Sequence, residues 1–151
     1  MTEMFFDTGV VLKLVIEEPL SPLTRAFVIR RGVPVPLSLL IELEIENALQ
    51  ALRFRREITA EQLAGSRGLV TEMIRRGRFE KIDLSLDEIG REAFSLVPLV
   101  TAKTGCRTLD LMHIATAKLL GACEFVSTDK RQIEAAKLCG FKIVNLLGKA
   151  R

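Results

Sequence analysis

The chain has 151 residues, of which 48% are hydrophobic and 27% are charged. This composition is typical of one soluble domain with a buried core, and we predict a single domain over residues 1–151. No apolar run approaches the roughly 18 to 20 residues that a membrane-spanning helix needs, and no signal peptide opens the chain. The three cysteines, Cys106, Cys123 and Cys139, form no C-x-x-C pair, which argues against disulfides and structural zinc. We therefore expect a cytoplasmic protein with no membrane partner.

The net charge is +3, from 22 Lys and Arg against 19 Asp and Glu, which is too small to indicate a nucleic-acid-binding protein by itself. If four of the acids belong to one metal site, the remaining balance is 22 against 15, or +7. That balance suits a phosphate-rich substrate, and an ordinary basic surface is the alternative explanation.

Short apolar segments alternate with segments of helical periodicity along the whole chain. In chain order the predicted elements are strand Met4–Phe6, helix Val10–Ile16, helix Pro22–Arg31, strand Val33–Leu37, helix Ser38–Arg56, helix Thr59–Gly77, strand Phe79–Leu84, helix Ser85–Thr104, helix Thr108–Leu120, strand Glu124–Ser127, helix Lys130–Leu138 and strand Lys142–Leu146. Pro98 is expected to interrupt or kink the helix that contains it.

Strands that alternate with helices imply parallel neighbours, because parallel strands need crossover connections. We predict an α/β fold, a three-layer α/β/α sandwich with a mainly parallel central sheet. Ligands of such sheets bind beyond the carboxyl ends of the strands. Asp7 directly follows the first predicted strand, and Asp129 follows the fourth by one residue. Both acids are candidates for a site at that edge, and a role as a helix N-cap is the structural alternative for each.

Glu44 lies on a predicted helix whose faces can be drawn at about 100° per residue. In that projection Glu42 and Glu46 lie on the opposite, solvated side. The apolar residues that flank Glu44 are Leu40, Ile41, Ala48 and Ala51. A carboxylate among apolar neighbours is costly unless it is paired or bound to a cation, which favours Glu44 as a metal ligand.

Asp110 repeats this pattern in a helix that is apolar on nearly every face and is therefore expected to be buried. Its neighbours one and two turns later are Ile114 and Ala117. A buried ion pair with Arg107 or Lys118 is the competing explanation for this carboxylate.

Four acids in one site would repel one another unless one or two divalent cations balanced their charge. Hard oxygen ligands favour Mg²⁺ or Mn²⁺, and two such ions can activate a water and stabilise the leaving oxygen of a phosphodiester. The four acids are therefore candidate catalytic and metal-binding residues. His113, the only histidine, lies three residues after Asp110 and is expected to pack or to support the site.

Five ordered segments carry a resemblance to a known family. They are Phe5-Phe6-Asp7-Thr8, Lys13-Leu14 with Glu17-Glu18-Pro19, Glu44-Ile45-Glu46-Asn47-Ala48-Leu49, Leu109-Asp110-Leu111-Met112-His113-Ile114-Ala115, and Val126-Ser127-Thr128-Asp129-Lys130. In this order they resemble the PIN-domain family, particularly the VapC-like toxin ribonucleases of prokaryotic toxin-antitoxin pairs.

The resemblance implies a metal-dependent endoribonuclease that cuts RNA, binds a small antitoxin protein and forms a homodimer. It implies that the acidic metal-site residues are Asp7, Glu44, Asp110 and Asp129, and that Thr8 and Ser127 support them.

Position 9 departs from the family, which usually has Ser or another polar residue two places after the first acid. This chain has Gly9, so a hydroxyl contact to the site is missing. A catalytically weak PIN-like module that binds RNA or a partner protein is therefore the alternative function. The tripeptide Asp7-Thr8-Gly9 also matches aspartic proteases, but those enzymes pair two such loops in an all-β fold.

Overall fold

The computed structural model describes residues 2–149. The strands are β1 (Met4–Phe6), β2 (Val35–Leu37), β3 (Phe79–Lys81), β4 (Glu124–Ser127) and β5 (Lys142–Asn145). The helices are α1 (Thr8–Leu12), α2 (Ser21–Arg31), α3 (Leu39–Phe54), α4 (Ala60–Arg75), α5 (Leu86–Thr104), α6 (Thr108–Leu119) and α7 (Lys130–Leu138), followed by a 3-10 turn at Leu146–Lys149. Strand pairs β1–β4, β4–β5 and β2–β3 are all parallel, which confirms the predicted α/β fold class. Within residues 2–149 no helix is long and apolar enough to cross a bilayer.

The chain divides into two compact units. The first contains the residues up to Val10 and those from Asp83 onward, and the second contains Val11–Ile82. The single domain over residues 1–151 stays a prediction.

A three-stranded sheet in the order β1-β4-β5 forms the centre of the first unit. Its middle is apolar, since Phe5, Phe6, Phe125 and Val126 are completely buried. Phe6 pairs with Val126, and the Asp7 amide donates to the Val126 carbonyl at 3.1 Å. The ladder therefore continues one residue past β1 and places Asp7 at the carboxyl end of the sheet.

The second unit contains the parallel pair β2–β3 with α2, α3 and α4. Side-chain caps define its helix starts: Ser38 Oγ accepts from the Ile41 amide at 3.1 Å, and Thr59 forms a capping box with Gln62. Gly32 ends α2 in the left-handed conformation, with φ of 66°. These local signals explain why the sequence located the helices of this unit closely.

Several elements differ from the sequence-based prediction. Strand β2 begins at Val35 rather than at Val33, and β3 ends at Lys81 rather than at Leu84. Helix α1 begins at Thr8, where the Asp7 carboxylate caps the Val10 amide immediately after β1. It ends at Leu12, not at Ile16, because the chain then forms tighter turns, in which the Val15 amide donates to the Leu12 carbonyl at 3.0 Å. Helix α5 continues through Pro98 without interruption. The hydrogen bond that Pro98 cannot make would reach the carbonyl of Phe94, and both residues are exposed, so water can satisfy that carbonyl.

Candidate functional site

Asp7 is held at the carboxyl end of β1 by hydrogen bonds to both of its carboxylate oxygens. Oδ1 accepts from the Val10 amide at 2.8 Å, and Oδ2 accepts from Ser127 Oγ at 2.6 Å. Only 6% of the residue is exposed. Asp7 therefore caps α1, as the structural alternative expected, and is also tied to the end of β4.

Ser127 connects two of the predicted site residues. Its hydroxyl is completely buried, donates its proton to Asp7 and accepts from the Asp129 amide at 3.0 Å. Gln132 Oε1, at 2.9 Å, is the alternative acceptor of the same proton. Sequence reasoning missed Gln132, although its position three residues after the cap of α7 is the place where a Gln commonly reaches back. Ser127 therefore couples the Asp7 side chain to the backbone of Asp129.

Asp129 is the N-cap of α7. Its Oδ1 accepts from the Gln132 amide at 3.0 Å, while its Oδ2 lies 3.6 Å from Arg107 Nη2. The side chain is 38% exposed. One oxygen thus fixes the carboxylate on the helix, and the other faces a cation at the surface.

Arg107 brings Asp110 and Asp129 together. Its Nε donates to Asp110 Oδ2 at 3.1 Å, and the same guanidinium contacts Asp129. The hydrogen bond to Asp110, with the charge of both carboxylates, raises the pKa of Arg107. Lys118 instead pairs with Glu92 at 2.7 Å. Asp110 therefore forms the ion pair with Arg107 that the competing explanation expected. The pair is not buried, because 66% of the Arg107 side chain is exposed.

Thr8 and His113 form a buried pair behind the acids. Thr8 Oγ1 lies 3.2 Å from His113 Nε2, and the His113 ring packs on Phe5 with 6.1 Å between ring centroids. His113 therefore has the packing role that was expected of it. The side chain of Thr8 contacts this histidine.

Glu44 lies on α3 in the second unit and is partly buried. The buried residues of α3 are Leu40 and Ile41, which the projection included, together with Ile45 and Leu49, whereas Ala48 and Ala51 are only partly buried. Glu42 is not a solvated surface acid, because its side chain is 28% exposed and pairs with a lysine at 2.8 Å. The assignment of Glu44 to the site therefore stays a prediction that the face of α3 does not single out.

The predicted acids suit a divalent cation by their chemistry but are not yet grouped around one position. Among residues 2–149 no group of three or more His, Cys, Asp or Glu side chains lies close enough to hold a metal ion. The chemistry of the donors fits, because the site offers carboxylate oxygens. The contacts of Arg107 support this fit, because its guanidinium lies against both Asp110 and Asp129. The carboxylates of Asp110 and Asp129 thus already face one positive charge, that of Arg107.

Gly9 leaves space beside Asp7. A Cβ atom at Gly9 would have only Asp7 Oδ1 within van der Waals distance, at 3.6 Å. A serine would therefore fit there and place its hydroxyl near the first acid.

Comparison with known proteins agrees with this geometry. The chain matches the PIN domain family over residues 4–138. Its fold is similar to that of VapBC2 from Rickettsia felis, solved bound to a DNA fragment from their promoter, with 15% identity, a TM-score of 0.64, and coverage of 96% of this chain and 98% of that chain. It is also similar to FitAcB from Neisseria gonorrhoeae, with 16% identity, a TM-score of 0.60, and coverage of 95% and 98%. No curated protein sequence matches the chain. Because the family match covers most of its length, the chain belongs to the PIN-domain family.

Proposed function

We propose that this protein is a divalent-metal-dependent endoribonuclease and the toxin of a toxin-antitoxin pair. PIN domains are generally nucleases, and the match covers residues 4–138. The observation that carries the proposal is the connection of three acids at one edge of a parallel sheet: Ser127 links Asp7 to Asp129, and Arg107 links Asp129 to Asp110.

Asp7, Asp110 and Asp129, with Glu44 as the fourth proposed ligand, would hold one or two Mg²⁺ or Mn²⁺ ions. Such ions supply an activated water and stabilise the leaving oxygen of the phosphodiester. Ser127 orients the Asp7 carboxylate, and the Gln132 amide holds Asp129 in one rotamer. The exposed guanidinium of Arg107 is suited to a phosphate oxygen of bound RNA.

The proposed partner is a small antitoxin protein, and the proposed assembly is a homodimer. The fold similarity to VapBC2 and FitAcB supports the antitoxin, since those names describe two-component complexes. A cytoplasmic location belongs to the same proposal, because the enzyme must meet RNA. We also retain residues 1–151 as one nuclease domain.

A second function, RNA or protein binding with weak catalysis, is favoured by one observation. Position 9 adds no second hydroxyl beside Asp7, although a side chain would fit there. Binding of RNA by the wild-type protein without cleavage in Mn²⁺ would select this function.

Cleavage of a fluorescent RNA in Mn²⁺, with and without EDTA, tests the nuclease proposal. Asp7→Asn should reduce cleavage by about 100-fold, because it removes a charge that holds the metal. Asp87→Asn is the matched control, since Asp87 is a surface acid paired with Arg91, and it should leave the rate unchanged. Cleavage that survives EDTA, or an active Asp7→Asn protein, contradicts the proposal.

Glu44→Gln in the same assay tests the fourth ligand. Cleavage should fall as it does for Asp7→Asn, because the amide keeps the shape of the side chain but not its charge. Glu46→Gln is the control on the same helix, since Glu46 is paired with Arg67 at 3.0 Å. If Glu46→Gln abolishes cleavage and Glu44→Gln does not, Glu44 leaves the proposed set.

A further inference from the structure

The tetrapeptide Ile-Arg-Arg-Gly occurs twice in the second unit, at residues 29–32 and 74–77. The first copy ends α2 and the second ends α4. In both copies the glycine has a left-handed backbone, with φ of 66° at Gly32 and 68° at Gly77, and the chain then enters a strand. The two copies are therefore equivalent connections from a helix to a strand.

The pairing of β2 with β3 brings these connections to the same edge. Val35 pairs with Phe79, and the Val35 amide donates to the Arg78 carbonyl at 2.9 Å. Because β2 and β3 are parallel, the ends of α2 and α4 both lie at the amino-terminal edge of this strand pair. Three residues lie between the end of each helix and the start of the next strand, a span of at most about 14 Å of chain. We call the five arginines at this edge the arginine edge: Arg30, Arg31, Arg75, Arg76 and Arg78.

Part of the charge of the arginine edge is paired within it. Glu72 pairs with Arg75 at 2.7 Å and with Arg76 at 2.6 Å, and these contacts lower the pKa of Glu72 to about 2. Glu80 adds one further negative charge, and each helix end contributes roughly half a negative charge. Glu72 therefore offsets part of the charge of Arg75 and Arg76 and none of the charge of Arg30 and Arg78.

Helix-end electrostatics explain the two arginine pairs but not the whole cluster. Arg78 lies beyond the end of α4, where no helix dipole requires it. Arg30 lies with its guanidinium 5.9 Å from the centroid of the Phe27 ring, which restricts its position. Among residues 2–149 neither Arg30 nor Arg78 pairs with a carboxylate, so both can accept an external anion.

We propose that the arginine edge binds the phosphodiester backbone of RNA, separately from the acids that would cut it. The inference rests on the proposed function, since it names how the same substrate is held. Arginine suits this role because its planar guanidinium donates two parallel hydrogen bonds to a phosphate. Contacts of this kind are independent of sequence and weaken as salt rises.

Binding without cleavage isolates this surface. A fluorescein-labelled single-stranded RNA of 20 uridines is titrated with the full chain in EDTA, and anisotropy gives the Kd between 50 and 200 mM salt. The double variant Arg30→Gln/Arg78→Gln should bind roughly tenfold or more weakly at 50 mM, and the salt slope should fall by about 1.4. The matched control is Arg53→Gln/Arg55→Gln, which removes the same charge from the exposed end of α3.

The outcomes separate this inference from the nuclease proposal. Weaker binding and a lower slope in the arginine-edge variant alone support it. Equal losses in both variants, no loss in either, or no RNA binding by the wild type at 50 mM overturn it. Tighter binding of duplex DNA than of RNA overturns the choice of RNA. Cleavage in Mn²⁺ is scored separately, so an active nuclease with an unaffected arginine-edge variant refutes this inference alone.

Discussion

Replacing Ser127 by alanine is expected to destabilise the protein strongly, because one buried hydroxyl serves three groups. Ser127 Oγ lies 2.6 Å from Asp7 Oδ2, 2.9 Å from Gln132 Oε1 and 3.0 Å from the Asp129 amide. The residue is completely buried, so bulk water does not replace the hydroxyl directly. The variant therefore loses contacts that no solvent exchange offsets.

The size of the loss follows from these contacts. A hydrogen bond to a charged group contributes about 1.5 to 3 kcal/mol, and a neutral one contributes about 1 kcal/mol. The Asp7 contact belongs to the first class and the Asp129 amide contact to the second, so the free energy of unfolding should fall by about 3 kcal/mol. For a chain of this length each kcal/mol lowers Tm by roughly 2 to 4 °C. We expect Tm to fall by roughly 6 to 12 °C.

Thermal unfolding followed by circular dichroism without divalent cations measures this change. Ser95→Ala is the matched control, because the Ser95 hydroxyl donates to the Glu92 carbonyl at 2.6 Å on an exposed helix. Its Tm should hold or rise, since alanine has the higher helix propensity. A Tm for Ser127→Ala within about 2 °C of the wild type would refute the reasoning that Ser127 anchors the site.

Three other predictions concern the neighbourhood of the acids. Arg107→Gln should tighten Mn²⁺ binding up to about fivefold in calorimetric titration, since an exposed ion pair no longer competes; unchanged or weaker affinity would exclude such competition. Gly9→Ser should raise Tm slightly and enlarge the Mn²⁺-induced Tm shift, because its hydroxyl would lie near Asp7; a lower Tm would show that the side chain does not fit. Burial, and secondarily the charge of a nearby aspartate, raises the pKa of Cys106 to about 11, so at pH 8 a thiol reagent should modify exposed Cys123 first. Between about pH 9 and 11 the Cys106 thiol keeps its proton in the folded state and loses it in the unfolded state. The stability that the protonated thiol contributes is therefore complete below pH 9 and is lost as the pH rises to 11. Equal labelling of both thiols in the folded protein would contradict this.

Sequence patterns were reliable where structure depends on local signals. The bounds of β1, β4 and α7 agree with the prediction, because an apolar run, a cap and a glycine stop are all short-range features. The start of α1 at Thr8 was not predictable in this way. It depends on Asp7, whose position is set by pairing with a strand more than one hundred residues later in the chain.

The face of α3 shows where the helical projection and the structure differ. Two leucines on its outer side, Leu39 and Leu43, are 58% and 61% exposed, so apolar residues do not mark the buried face of this helix. The projection placed the buried face around Leu40, Ile41, Ala48 and Ala51, whereas the residues that the structure buries are Leu40, Ile41, Ile45 and Leu49. The contact of Arg107 with Asp110 could be anticipated from their spacing of three residues, but its approach to Asp129 could not, because that approach depends on how α6 and α7 pack.

The capping role of Asp7 and Asp129 and their proposed metal role are compatible, because a carboxylate has two oxygens that can face different partners. In both residues Oδ1 accepts a backbone amide at the start of a helix. Oδ2 then faces Ser127 in one case and Arg107 in the other. The cap restricts each carboxylate to one rotamer. The structural role thus positions the oxygen that a cation would need, so finding an aspartate at an N-cap does not argue against a functional site when its second oxygen faces another polar or charged group.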